Sequence, residues 1–138
     1  MKTVRWLNDY DYDTLVKWWK WFRFTPPPKV TLPENGNFGI MVSKNGVDVC
    51  AGFLYLTNSN MCWMEYIVSN PDVRDKYTRD ECIKELIDGL SYLAEQNGYS
   101  IIYTSVKNQN LINKYLSCGF IKGSDNCTEM IKITNKNI

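Results

Sequence analysis

The sequence predicts a mixed α/β fold, an α+β arrangement with helices covering both faces of a central, mostly antiparallel sheet of about six to seven strands. Three observations predict it. Strand-like and helix-like segments alternate in the order βα, βββ, α, β, α, ββ. The middle block of strands is joined by short turns, one of them Lys44-Asn45-Gly46, and Asn-Gly tolerates the positive φ of tight hairpins. A long amphipathic stretch then separates this block from a further apolar, β-branched segment.

Taken in order, Thr3 to Leu7 reads as a first strand, and Asp11 or Asp13 can cap the helix after it. Leu15, Trp18, Trp19 and Phe22 recur at i, i+3, i+4, i+7 and define its apolar face. Trp21 and Phe24 widen that face, enough to pack a core, line a pocket or make a dimer contact. Pro26, Pro27 and Pro28 end the helix, and residues 25–37 read as a mobile loop. Phe38 to Ser43 and Val47 to Leu56 form a hairpin in which Val47, Val49, Ala51, Phe53 and Tyr55 share a face. Gly52 marks a bulge or a close backbone approach. Asn58-Ser59-Asn60 turns the chain into a third strand, Met61 to Ser69.

A capping box, Thr78-x-x-Glu81, opens the long helix, whose buried face is Cys82, Ile83, Leu86, Ile87, Leu90, Leu93 and Ala94. Asn97-Gly98 ends it. Ser100 to Val106 reads as a central strand. Asn108 or Asn110 can cap a short helix through Ser117. Phe120 to Lys122 and Thr128 to Ile133 flank a turn and predict a last hairpin. No repeat or second domain is visible, so residues 1–138 are expected to form a single domain.

Bulk properties exclude several functions. The net charge of +1 advertises no broad nucleic-acid surface. No apolar run reaches the roughly 18 residues a membrane helix needs, and no signal-peptide core opens the chain, so a cytoplasmic location is expected. The five cysteines include no C-x-x-C pair and read as free, mostly buried thiols. There is no histidine, which removes the commonest metal ligand and general base. No metal is expected, and proton transfer falls to a carboxylate, a tyrosine, a cysteine or the backbone.

The stretch from Met61 to Leu93 is a buried strand, a polar loop with two arginines and a long helix. A helix opening after such a loop offers free amides and partial positive charge to an anion. Glu65 interrupts the otherwise apolar MCWMEYIV, and a carboxylate in a buried strand usually has a reason. By alternation it shares a face with Trp63, Ile67 and Ser69.

The element order, with two motifs, resembles the GNAT superfamily of acyl-CoA N-acyltransferases. The first motif is a strand ending in V-x-P-x-x-R and continuing R-x-x-G-x-G/A into a helix. Pro71 and Arg74 match it here, whereas Tyr77 and Arg79 stand where the family has glycines. The second is N-x-x-A-x-x-x-Y-x-x-x-G-F. Asn108, Tyr115, Gly119 and Phe120 match, with Leu111 in place of Ala.

The resemblance implies acetyl-CoA or another short acyl-CoA as co-substrate. Ile67, Val68, Ser69, Arg74, Lys76, Tyr77, Thr78, Arg79 and Asn108 would bind it, with amides at 67–69 facing the carbonyl oxygen. It further implies Glu65 as general base and Tyr115 as general acid near the sulfur, with Trp19 and Phe22 lining the acceptor side. The acceptor would be a small-molecule or protein amine. A homodimer is compatible with an edge strand and surplus tryptophan. Two other functions remain open. One is a GNAT-fold module that has lost its cofactor and binds a protein or nucleic acid. The other is a GNAT-like enzyme modifying a nucleobase, whose first helix would stack the base.

Overall fold

The computed structural model describes residues 1–137. Lys2–Trp6 forms β1 and Tyr12–Trp21 forms α1. Gly39–Lys44 (β2), Val47–Tyr55 (β3) and Met61–Ser69 (β4) follow as a meander. Lys76–Gln96 is α2, Ile101–Tyr103 is β5 and Gln109–Ser117 is α3. The strands lie side by side in chain order, antiparallel from β1 to β4, with β5 parallel to β4.

Each face of the sheet carries its own core. On one, Leu15, Trp18 and Trp19 of α1 pack on Met41, Ala51, Phe53 and Val68. On the other, Leu86, Ile87, Leu90 and Ala94 of α2, with Tyr115 of α3, cover Val42, Leu54, Cys62 and Met64. The i, i+3, i+4 spacing of the α2 residues is what turns them all to one side. Three of the cysteines, Cys50, Cys62 and Cys82, are buried free thiols in this second core. Asp11 stands at the start of α1, but its carboxylate accepts from Arg5 at 2.8 and 2.9 Å and from the Asn8 amide. Burial alone would raise the Asp11 pKa, and these hydrogen bonds outweigh it and hold it below the ordinary value.

Five expectations need correction. The last hairpin does not form: Phe120–Ile133 contains no strand, and Ile121, Met130 and Ile131 are 89%, 88% and 79% exposed. A hairpin with no layer to cover its apolar side is marginal in water. The sheet therefore has five strands, and the segment expected as a central strand supplies only the short edge strand β5.

Bulges overturn the assignments of side chains to faces. In β3 the register slips between Val42/Ser43 and their partners, so Val49 joins the α2 core while Ala51 and Phe53 face α1. In β4, Glu65 opposes Phe53 on the α1 face, whereas Ser69 opposes Cys50 on the α2 face. They do not share a side.

The capping box is displaced as well. The helix begins at Lys76, two residues before Thr78, with Asp75 at its N-cap, and the Thr78 hydroxyl donates back to Asp75 Oδ2 at 2.7 Å. Glu81 pairs with Lys44 instead. Finally, residues 25–37 are anchored. They contain two 3-10 turns, Leu32 is buried, and Tyr12 and Tyr55 donate their hydroxyls to the carbonyls of Pro27 and Thr31.

Candidate active site

The site begins with a bulge. Ala51 pairs with Val68 and Phe53 with Glu65, so Gly52 alone opposes both Tyr66 and Ile67. A Cβ on Gly52 would sit 2.9 Å from Ile67 Cγ1 and 3.1 Å from Leu90 Cδ1, so glycine is what lets this crossing close. The surplus residue forces Tyr66 to φ +60°, a conformation worth roughly 1–3 kcal/mol of strain for a residue with a side chain. Ile67 turns into the α2 core, while Tyr66 packs on the other side near Trp19 and Phe24. A bulge leaves backbone groups out of the ladder, where an amide can donate to an external oxygen.

An opening lies beside the bulge. β4 and β5 pair only where Met61, Cys62 and Trp63 meet Ile101, Ile102 and Tyr103. From Met64 to Ser69, β4 has no strand on that side among the described residues. Glu65 spans the divergence, its Oε1 accepting from the Ser105 amide at 2.9 Å. Burial pushes the Glu65 carboxyl pKa up, hydrogen bonding to Ser105 and Thr104 opposes this, and the nearby Glu129 adds to the rise. Tyr115 reaches the opening from α3 and is buried against Phe120 at 4.8 Å between ring centres. The Thr104 hydroxyl donates to the Tyr115 hydroxyl at 3.4 Å. Burial, against that hydrogen bond and with help from the Glu65 charge, pushes the phenol pKa up to about 12. The site thus holds an acceptor of protons and a phenol that stays protonated.

The amino end of α2 is the third part. Arg74, Lys76 and Tyr77 are exposed there, and Arg79 is half-buried. Tyr77 points outward, 72% exposed, with the Lys44 ammonium 5.9 Å from its ring. Its bulk does not fill the loop. Asp75, however, sets a carboxylate at the helix end, and the Thr78 hydroxyl chiefly holds its pKa low. The open β4 edge suits an extended amide-bearing chain such as pantetheine. A pyrophosphate would rely on Arg74, Lys76 and Arg79 against the charge of Asp75. A pocket of about 350 Å³ lies on the other side of this helix end, lined by Lys44, Asn45, Val47, Val49, Val73 and Thr78, away from Glu65.

The remaining expected site residues divide. Asn108 caps α3, its Oδ1 accepting from the Leu111 amide at 3.0 Å, which leaves only its NH2 group for a ligand. Val68 is buried under α1 and offers only backbone. Trp19 is 2% exposed, between Phe53 and Tyr66, so its contact is with Tyr66 rather than with an acceptor. Phe22 is exposed beside Trp21, 5.0 Å between ring centres. Sequence reasoning missed Tyr66, Thr104 and Ser105. Gly52 was the signal for Tyr66, because the surplus residue sits on the strand opposite that glycine. No feature of the sequence marks Thr104 or Ser105.

No family model matches the sequence, and no curated protein does. Solved structures do match. The ribosomal-protein-S18-alanine N-acetyltransferase of Escherichia coli aligns with 90% of this chain and 80% of its own, at 18% identity and a TM-score of 0.71. N-acetylglutamate synthase of Neisseria gonorrhoeae, solved with coenzyme A and L-arginine, aligns with 93% of this chain but 29% of its own, at 13% identity and a TM-score of 0.71. AAC(6')-Iy, solved with the bisubstrate analogue CoA-S-monomethyl-acetylneamine, aligns with 96% of this chain and 99% of its own, at 13% identity and a TM-score of 0.66. The chain has the GNAT fold, an α/β fold that these acetyltransferases share. Among the described residues, no helix is long and apolar enough to cross a membrane.

Proposed function

We propose that the protein is an N-acyltransferase that moves an acetyl or other short acyl group from acyl-CoA to an amine. The observation that carries this reading is the meeting of Glu65 and Tyr115, each in contact with the Thr104–Ser105 segment, at the β4–β5 opening next to the Tyr66 bulge. Its structural neighbours include proteins solved with coenzyme A or a CoA conjugate.

The chemistry follows from the groups present. An alkylamine is mostly protonated at neutral pH and must lose a proton to attack. The Glu65 carboxylate takes that proton while the Ser105 amide holds Oε1. The C–N bond forms as the thioester C–S bond breaks. Charge on the carbonyl oxygen falls to amides of the bulge and the following residues, Ile67 to Ser69. Tyr115 gives its proton to the departing thiolate and is reprotonated from solvent; the nitrogen loses a second proton to solvent as the amide forms, so of the two protons the ammonium sheds, one is matched by the thiol and one is released. Arg74, Lys76 and Arg79 hold the pyrophosphate as charged donors where the family's glycines are missing. Asn108 contributes its NH2 group to the pantetheine arm. No metal enters this scheme.

The test is release of free thiol from acetyl-CoA when amines are supplied, followed by mass analysis of the product. A thiol signal that does not depend on an amine would count against the reading. Asp75 offers a sharper check. Asp75→Ser keeps a capping oxygen and removes the negative charge, so CoA affinity should rise several-fold by calorimetry. Unchanged affinity would place the pyrophosphate elsewhere. The rival reading, a GNAT-fold module that binds a protein or nucleic acid, is favoured by that same Asp75 carboxylate at the helix end.

A further inference from the structure

Beside Glu65, the α1 face of the sheet carries an aromatic row. Trp63 of β4 is the register partner of Tyr55 on β3 and of Tyr103 on β5. Directly opposed residues share a face, so three rings stand abreast across three adjacent strands. The Trp63 and Tyr103 rings are 4.1 Å apart, and Tyr103 is 43% exposed. Tyr66 continues the surface from Tyr55 at 6.4 Å, and Phe24, 48% exposed, extends it at 6.2 Å. Behind this row Trp19 is buried, and Tyr12, Tyr55 and Tyr66 are partly buried against it, so the open end of the row is Trp63, Tyr103 and Phe24.

Glu65 is the next residue of β4 on this face, about 7 Å further along the strand than Trp63. Among the described residues no lysine or arginine forms an ion pair with it. The face therefore joins a row of tilted rings, Trp63 and Tyr103 meeting at 55°, to a carboxylate without a cation. Such a surface is complementary to a ligand that is apolar and flat at one end and cationic at the other. A polyhydroxylated amine would leave hydroxyl groups unpaired against the rings, at a cost.

We infer that the acceptor is an arylalkylamine: an aryl ring stacked on Trp63 and Tyr103, with a short alkyl link carrying its amine to Glu65. This assignment of substrate class rests on the acyltransferase reading for the reaction but not for the binding. Tyr66, held out of the ladder by the bulge, bounds the face beyond Glu65, against Tyr55 and Phe24.

The experiment compares 2-phenylethylamine with n-hexylamine, an alkylamine of similar apolar size without a ring. Binding to the full chain is measured by calorimetry with no acyl donor present, and thiol release is measured separately with acetyl-CoA. The expected result is binding of 2-phenylethylamine about tenfold tighter than that of n-hexylamine, the scale of aromatic stacking. Trp63→Leu should close the gap. If that variant loses its circular-dichroism signature of folding, Tyr103→Leu on the exposed edge strand replaces it.

Equal affinities, or no binding of either amine, would overturn the inference. So would a dimer in sedimentation that Trp63→Leu dissociates, because the face would then belong to a second copy of the chain. Ring-selective binding without thiol release would sink the acyltransferase reading and leave this one standing. Thiol release without ring selectivity would do the reverse.

Discussion

Glu65→Gln should lower the rate of acyl transfer by roughly 10²–10⁴-fold, the usual contribution of a positioned general base. Glutamine keeps the size of the side chain and an oxygen for the Ser105 amide, so the β4–β5 opening should hold its shape. What it cannot do is accept the amine's proton. CoA affinity should stay as it is, since no phosphate-binding residue is touched. The pH profile supplies an independent check with a definite sign. Burial raises the Glu65 pKa, so the carboxylate is lost at a higher pH than for an exposed glutamate. The acid limb of kcat/KM should therefore lie above the ordinary glutamate range in the wild type and vanish in the variant. Initial rates across pH measure both. A variant with wild-type rates would remove Glu65 from the mechanism.

Gly52→Val should destabilise the protein and impair the site together. The first added carbon already lies 2.9 Å from Ile67 Cγ1 and 3.1 Å from Leu90 Cδ1, and the valine methyls extend further into α2. Overpacking of this kind costs about 1–3 kcal/mol. Relief requires either α2 to lift or Ile67 to move, and Ile67 is half of the bulge that sets Tyr66 at φ +60°. The urea midpoint should fall, and the activity of the fraction still folded should fall with it. A lowered midpoint with full specific activity would mean that the bulge plays no part in the reaction.

The parts of the molecule that could be read from the sequence are those in which local pattern and tertiary packing agree. The hairpin at Asn45-Gly46 has positive φ at both residues, as the dipeptide requires. The apolar stripe of α2 is buried as its spacing predicts, and Asn108 caps α3. The failures have specific causes. Strict alternation put Glu65 and Ser69 on one face, because one surplus residue in β4 reverses everything beyond it. The alternating pattern in Thr128 to Ile133 looks like a strand, but its apolar side chains have no layer to bury them. The resemblance implies Trp19 on the acceptor side, whereas its spacing already sets it on the apolar face that α1 buries. Glu65 and Tyr115, the candidate residues, stand out in the sequence by an uncommon residue type or spacing. Thr104 and Ser105 do not, because their role depends on where β5 parts from β4.

The most direct test of the acyltransferase account is calorimetric titration of the wild-type chain with CoA and acetyl-CoA, with thermal unfolding in parallel. The account predicts saturable binding, with ligand at about 100 times Kd stabilising the fold by about 2.7 kcal/mol and raising Tm by several degrees. No heat of binding and an unmoved Tm at millimolar ligand would contradict it. The GNAT fold would then be carrying a binding function, with the Asp75 carboxylate opposing an anion at the helix end.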